Sequence, residues 1–99
     1  MKKIDEIKKK LELHKEELKQ RYNIKELGIF GSYVRGEERK DSDLDVLTEF
    51  EDGAKIGLLE FISVENYLSD LLGVKVDLVE KSALKPRIGR HILNEVVYL

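Results

Sequence analysis

Residues 27–50 read LGIFGSYVRGEERKDSDLDVLTEF, a short apolar run followed by a Gly–Ser step, a polar loop and an Asp-Leu-Asp sequence. The apolar run from Leu27 to Phe30 predicts a strand that ends at the Gly–Ser step. A second predicted strand runs from Asp43 to Phe50. Because side chains alternate along a strand, both aspartates of Asp-Leu-Asp face the same space. This stretch therefore predicts two strands, one ending in a small-residue turn and the other carrying a pair of carboxylates.

The Gly–Ser step has the residue types that phosphate binding needs. Gly31 allows backbone N–H groups to approach phosphate oxygens closely. Ser32 offers a hydroxyl donor and begins a short predicted helix through Arg35, whose guanidinium could reach the same anion. A Gly–Ser turn after a strand is common and is weak evidence alone. Its combination with the Asp-Leu-Asp sequence predicts a phosphate site.

A third acid lies downstream in a similar setting. Apolar residues between Ile56 and Leu71 recur at helical spacing, and Gly73 ends the predicted helix. A crossover of this length favours parallel pairing of the strands on either side. Asp77 lies in the third predicted strand, Val74 to Val79. We therefore expect Asp77 to lie beside the acids of the second strand, although an edge-strand acid facing water is the alternative interpretation.

The flanking segments complete an α+β domain that spans residues 1–99. Apolar residues from Ile4 to Leu18 predict an amphipathic first helix that ends near Tyr22. Pro86 is typical of the first turn of a last helix, which we predict to run nearly to Leu99. The predicted order is helix, strand, short helix, strand, helix, strand, helix. This order predicts a small mixed sheet with helices packed on one face.

Three neighbouring carboxylates would repel one another, and one would be driven to protonate without a counterion. Mg²⁺ prefers oxygen ligands and keeps waters or phosphate oxygens in its coordination shell. Asp43 and Asp45 together with a triphosphate would therefore complete one site, and Asp77 would serve a second ion. Two such ions suit in-line displacement at a nucleotide α-phosphate. We predict Asp77 as the general base of that reaction.

The composition limits the classes of partner. Eighteen basic and twenty acidic residues give a net charge of −2. The chain as a whole therefore has no excess positive charge that would attract it to nucleic acid or to an anionic membrane. There is no cysteine, and Met1 is followed by charged residues where a signal peptide would be apolar. We expect a cytoplasmic protein. His14 and His91 lack neighbouring ligand-type residues and are interpreted as surface or packing residues.

Four features together resemble the minimal nucleotidyltransferases, the MNT proteins of the DNA polymerase β superfamily. They are Gly31-Ser32, Arg35-Gly36-Glu37, the run Asp41-Ser42-Asp43-Leu44-Asp45, and the strand with Asp77. The resemblance covers nearly the whole chain and implies the polymerase β-type nucleotidyltransferase fold. It implies a toxin–antitoxin pair in which a HEPN-domain ribonuclease is the toxin, and hence a hetero-oligomer. It also implies transfer of AMP from ATP to a tyrosine hydroxyl of the toxin, with Mg²⁺ held by Asp43, Asp45 and Asp77 and with Gly31 and Ser32 at the phosphates.

Two other functions stay open at this point. The first is a non-catalytic antitoxin that neutralises its HEPN partner by binding and occlusion, through exposed faces of the first and last helices. The second is a small-molecule nucleotidyltransferase resembling the aminoglycoside-modifying enzymes. The resemblance to those enzymes implies a larger protein with an extra helical domain, for which 99 residues leave little room.

Overall fold

The computed structural model describes residues 3–99, so that residues 1 and 2 of the predicted domain lie outside the described part. Its elements are α1 (Lys3–Leu13), α2 (Lys15–Tyr22), β1 (Ile24–Phe30), α3 (Ser32–Arg35), β2 (Leu44–Phe50), α4 (Leu58–Leu72), β3 (Val76–Glu80), a 3-10 turn (Lys81–Ala83), α5 (Pro86–Glu95) and β4 (Val97–Tyr98). Within residues 3–99, no helix combines the length and the apolar character needed to cross a bilayer.

The sheet is mixed, with the strand order β3-β2-β1-β4. β1 pairs antiparallel with β2 and with β4, whereas β2 pairs parallel with β3. The parallel pair is joined by α4, whose length allows the chain to return to the same end of the sheet. The predicted α+β class, the mixed sheet and the parallel pairing across this helix are confirmed.

The core lies between the sheet and three of the helices. Leu11 of α1, Leu18 of α2 and Leu68 of α4 are at most 1% exposed. They share one apolar cluster with sheet residues such as Ile29 and Val46, which are fully buried. Burying a side chain of this size contributes about 1.5–3 kcal/mol relative to leaving it exposed. This packing fixes β1 and β2 and therefore the ends of these strands, where the predicted site residues lie.

The N-terminal part differs from the prediction in two places. The predicted first helix is divided into α1 and α2 at His14, whose N–H donates to the carbonyls of both Lys10 and Leu11. β1 begins at Ile24, three residues earlier than predicted, because the buried Ile24 already pairs with Phe50. Here tertiary pairing extends the strand beyond its continuous apolar run.

The C-terminal part also corrects the prediction. The predicted last helix does not run nearly to Leu99 but ends at Glu95, and a fourth strand follows. Val97 of this strand pairs with Ile29 of β1, and the Leu99 N–H donates to the Leu27 carbonyl over 3.0 Å. β-branched residues such as Val96 and Val97 favour extended backbone when an edge of the sheet is available. β4 therefore covers the outer edge of β1.

The opposite edge, β3, donates backbone hydrogen bonds to side chains of α4. The Val76 N–H donates to Ser69 Oγ over 3.0 Å, and the Leu78 N–H donates to Glu65 Oε2 over 2.9 Å. An edge strand otherwise leaves such groups unpaired. α4 therefore holds β3 through these polar contacts as well as through its buried face.

Candidate active site

The chain turns sharply where β1 ends, and a glycine makes this turn. Gly31 has φ 85° and ψ −154°, a backbone conformation open essentially to glycine alone. A Cβ atom at this position would lie 2.1 Å from Asp45 Oδ2 on the neighbouring strand. The backbone of Gly31 and the carboxylate of Asp45 are therefore in direct contact. Any side chain at residue 31 would therefore collide with the Asp45 carboxylate.

The parallel register places the acids of β2 and β3 side by side. Asp45 and Asp77 are directly opposite each other in the β2–β3 ladder. Asp45 is partly buried, whereas the side chain of Asp77 is exposed. Asp43 is partly buried and lies just before β2, which begins at Leu44, one residue later than predicted. The structure thus brings Asp45 and Asp77 together as expected from the crossover.

The three acids interact electrostatically at Asp45. Burial raises the pKa of the Asp45 carboxyl above 3.8, and the charges of Asp77 and then Asp43 raise it further. The Arg35 guanidinium opposes this rise, and the Glu95 carboxylate adds to it. A raised pKa from burial and like charges is typical of an acid that is held for a function at some expense of stability. A cation beside Asp45 would remove this repulsion.

The donor set can be compared with what a divalent cation requires. In residues 3–99, no three Asp, Glu, His or Cys side chains are arranged closely enough to hold a metal ion by themselves. Mg²⁺ does not need such a cage, because one or two carboxylates with waters and substrate phosphates complete its shell. Asp43, Asp45 and Asp77 supply the carboxylate oxygens that Mg²⁺ prefers. The residues present therefore fit a cation that binds together with a nucleotide.

The loop before Asp43, predicted as a polar surface segment, contains a turn of its own. The Arg39 N–H donates to Ser42 Oγ over 2.7 Å, and the Ser42 N–H donates to the Arg39 carbonyl over 3.0 Å. The buried Tyr33 of α3 contacts the same turn, with its hydroxyl 3.5 Å from the Ser42 carbonyl. These contacts fix the segment that leads into Asp43.

Glu95, at the end of α5, enters the site without having been predicted. Its Oε2 accepts the Gly31 N–H over 2.9 Å, and its Oε1 accepts Arg35 Nη1 over 2.6 Å. Burial would raise the pKa of Glu95, but the hydrogen bonds from Arg35 and Gly31 and the Arg35 charge lower it overall. These partners lie 60 and 64 residues away along the chain, so no local pattern around Glu95 could have indicated them.

Four of these residues, Gly31, Arg35, Asp45 and Glu95, line one open cleft of about 380 Å³. It is lined by Phe30, Gly31, Arg35, Asp45, His91, Ile92 and Glu95. Ser32 is partly exposed and begins α3 directly after Gly31. His91, interpreted from the sequence as a surface or packing residue, lines the cleft one helical turn before Glu95. The cleft joins the turn at Gly31, the Arg35 guanidinium and the Asp45 carboxylate, whereas Asp43 and Asp77 are not among its lining residues. Together with these two acids, it can bind a polyanion and act at its phosphorus.

Comparison with known proteins gives a consistent result. The nucleotidyltransferase domain family matches residues 11–99. A protein adenylyltransferase, MntA of Thermococcus cleftensis, is 51% identical over 96 residues, which cover 97% of this chain and 95% of that protein. A provisionally assigned minimal nucleotidyltransferase of known structure is 35% identical with a TM-score of 0.78, and the match covers 100% and 97% of the two chains.

A third similarity is one of fold. The fold is similar to that of a chain in the complex of the tri-AMPylated HEPN toxin of Shewanella oneidensis with an MNT antitoxin, with a TM-score of 0.64 and 15% identity. The match covers 99% of this chain and 71% of that chain.

Proposed function

Because the chain belongs to the nucleotidyltransferase domain family, we propose that it transfers AMP from ATP to a tyrosine hydroxyl of a partner HEPN toxin and so acts as an antitoxin. The observation that carries this proposal is the contact between Gly31 and Asp45, with Asp77 directly opposite Asp45 in the ladder. A phosphate bound at the turn after β1 would lie next to these carboxylates. The relative of this chain in Thermococcus cleftensis is a protein adenylyltransferase, which supports the same transfer here.

The turn after β1 supplies the phosphate donors. The Gly31 N–H points into the cleft, as its hydrogen bond to a carboxylate there indicates. Arg35 reaches the same point with its guanidinium. Ser32 would add its hydroxyl from the first position of α3. Donors of this kind bind phosphate oxygens through charge-assisted hydrogen bonds and fix the orientation of the triphosphate.

The acids would act at the α-phosphate. Asp43, Asp45 and Asp77 are the proposed ligands of two Mg²⁺ ions. When bound, Mg²⁺ supplies charge neutralisation of the phosphates and of the leaving pyrophosphate. Asp45, partly buried beside Gly31, holds its carboxylate where the triphosphate enters. Its raised pKa is in keeping with a group that needs a positive partner.

Asp77 is the proposed general base, because its exposed side chain is open to an acceptor from outside. The acceptor tyrosine oxygen forms a bond to the α-phosphorus of ATP, and the bond from that phosphorus to the β-phosphate bridging oxygen breaks. The hydroxyl proton passes to Asp77, and pyrophosphate leaves with the electron pair of the broken bond. The residues of the protein therefore position the reactants and accept the proton.

The openness of the site supports a macromolecular acceptor. Arg35 at the rim of the cleft is 47% exposed on its side chain, and Asp77 is exposed as well. A tyrosine on a partner surface can therefore approach without entering a deep pocket. The structural relative in complex with a tri-AMPylated HEPN toxin supports a partner of the same kind here, in a hetero-oligomer.

The test is the intact mass of the HEPN protein after incubation with this chain, ATP and Mg²⁺. We expect a gain of one or more AMP units with the wild type and a loss of about 100-fold or more in rate with D43N/D45N, because charge stabilisation of the transition state is removed. Asp41→Asn is the matched control, since Asp41 is exposed in the same loop and should retain transfer.

The contrary outcome is a well-folded complex in which the wild type adds no AMP. Toxin neutralisation that persists under those conditions would favour the non-catalytic antitoxin, which acts by binding and occlusion. Transfer of AMP by D43N/D45N at the wild-type rate would contradict the assignment of the acids.

A further inference from the structure

The carboxylate of Glu95 occupies the position where the proposed phosphate donors converge. Its two oxygens take separate donors, the Gly31 N–H over 2.9 Å and Arg35 Nη1 over 2.6 Å. The Glu95 side chain is 24% exposed, so this contact is partly shielded from water. A single anion therefore joins the turn after β1 to the guanidinium of α3.

A carboxylate and a phosphate group bind to the same kinds of donor. Backbone N–H groups and arginine donate hydrogen bonds to either anion with similar geometry. Each donor also has limited capacity, because the Gly31 N–H is one donor and makes one strong hydrogen bond at a time. The Gly31 N–H cannot serve Glu95 and a nucleotide phosphate equally well. The two anions would also repel each other if both stayed in the cleft.

We propose that Glu95 is a built-in phosphate mimic, which a nucleotide phosphate must displace from Gly31 and Arg35 when ATP binds. This inference rests on the proposed function, since it concerns the same cleft. In the nucleotide-free chain, Glu95 keeps the two donors paired and in place. When ATP arrives, the Glu95 side chain leaves and its hydrogen bonds are exchanged for bonds to phosphate. Glu95 thereby lowers the affinity for ATP.

The position of Glu95 in the fold allows this exchange. Glu95 is the last residue of α5, and β4 begins two residues later. Rotation of its side chain requires no change in the main core cluster, to which α5 contributes none of the fully buried side chains. The exchange is therefore a local event at the mouth of the cleft.

The chain contains a matched control in Glu37. Glu37 Oε2 lies 3.3 Å from Arg35 Nε, so Glu37 also pairs with Arg35. However, its side chain is 63% exposed, and it contacts the guanidinium and not Gly31. Exposed pairs of this kind contribute little. Removing the charge of Glu37 tests the general effect of one fewer acid near the cleft.

The experiment is calorimetric titration of wild type, E95A, E95Q and E37Q with three ligands. They are ATP with Mg²⁺, inorganic tripolyphosphate with Mg²⁺, and adenosine. We expect E95A to bind ATP and tripolyphosphate about tenfold more tightly than the wild type, equivalent to about 1.4 kcal/mol. E95Q keeps the shape of the side chain and should show a smaller gain in the same direction. Adenosine affinity should be unchanged, and E37Q should stay within about twofold of wild type.

Two results would overturn the inference in different ways. Equal or weaker ATP binding by both Glu95 variants, in folded proteins whose ATP binding still depends on Asp45, would show that Glu95 only positions Arg35. That result would leave the proposed function intact. Failure of every variant and of the wild type to bind ATP or tripolyphosphate would overturn the nucleotide site itself, and this inference with it.

Discussion

Substitution of Gly31 by alanine tests whether the approach of the β1 turn to Asp45 is as close as the structure has it. An alanine here must adopt φ 85° and ψ −154°, a region that costs about 1–3 kcal/mol for a residue with a side chain. Its Cβ would also lie 2.1 Å from Oδ2, 3.0 Å from Cγ and 3.3 Å from Cβ of Asp45. Asp45 must therefore rotate away, at about 0.5–1.5 kcal/mol for an unfavourable rotamer.

The two contributions predict that G31A lowers the free energy of unfolding by about 1.5–4.5 kcal/mol, which for a domain of this size lowers Tm by roughly 6–36 °C. The control is Gly36→Ala. Gly36 has φ 73°, but an added Cβ there would have no neighbour within 4 Å. G36A therefore incurs only the backbone strain of the left-handed region, about 1–2 kcal/mol. The gain from restricting the unfolded chain is the same at both positions and cancels in the comparison.

The assay is urea denaturation monitored by circular dichroism, with both variants measured beside the wild type. The double variant G31A/D45A, compared with D45A alone, separates the two contributions, because the cost of G31A should lose the part that comes from the collision once the Asp45 carboxylate is absent. G31A should also abolish AMP transfer, since Asp45 is displaced. If G31A costs no more than G36A, or if its cost is unchanged in the D45A background, the close contact of Gly31 with Asp45 is refuted.

Two further predictions concern stability. Asp45→Asn should stabilise the fold by about 1 kcal/mol at pH 7, the scale of a stability–function trade-off. The pKa of Asp45 is raised in the folded state, so the ionised carboxylate lowers the stability of the fold above that pKa. The gain should therefore disappear as the pH falls below 3.8, where the carboxyl is protonated in both states. Thermal unfolding at pH 7 and at pH 3 measures this, and an equal gain at both pH values would contradict it. Ser69→Ala should destabilise the fold by about 1–2 kcal/mol, because the Val76 N–H loses its acceptor at the sheet edge. Chemical denaturation measures this loss, and Ser63→Ala on the exposed surface of the same helix is the control. A loss at Ser63 as large as that at Ser69 would refute the edge contact.

Local sequence patterns predicted much of the fold correctly. Helical spacing and a closing glycine indicated α4, and its length implied the parallel pairing of β2 with β3 that the register of Asp45 with Asp77 confirms. β4 could not be predicted in the same way, because Val97 and Tyr98 become a strand only when β1 offers its edge. That residues 1–99 form one domain stays a prediction.

The roles of the site residues divide along the same line. Gly31, Ser32, Arg35 and the three acids were selected from their types and spacing, and their roles in phosphate and metal binding stay predictions. Glu95 could be found only from the structure, because its partners are 60 and 64 residues distant. The hydrogen bonds that the edge strand donates to side chains of α4 depend equally on how the two elements pack.

By itself, the sequence determined most of the strands and helices, though not β4, and which residues bring chemistry to the end of β1 and to β2, because periodicity and turn chemistry act over a few residues. Only the tertiary structure decided which side chains meet. The contact of Gly31 with Asp45, the raised pKa of that carboxyl and the closure of the phosphate turn by Glu95 each depend on strand register and on the place of α5. Their physical reason is that burial, charge proximity and hydrogen bonding are set by distance in space and not by distance along the chain.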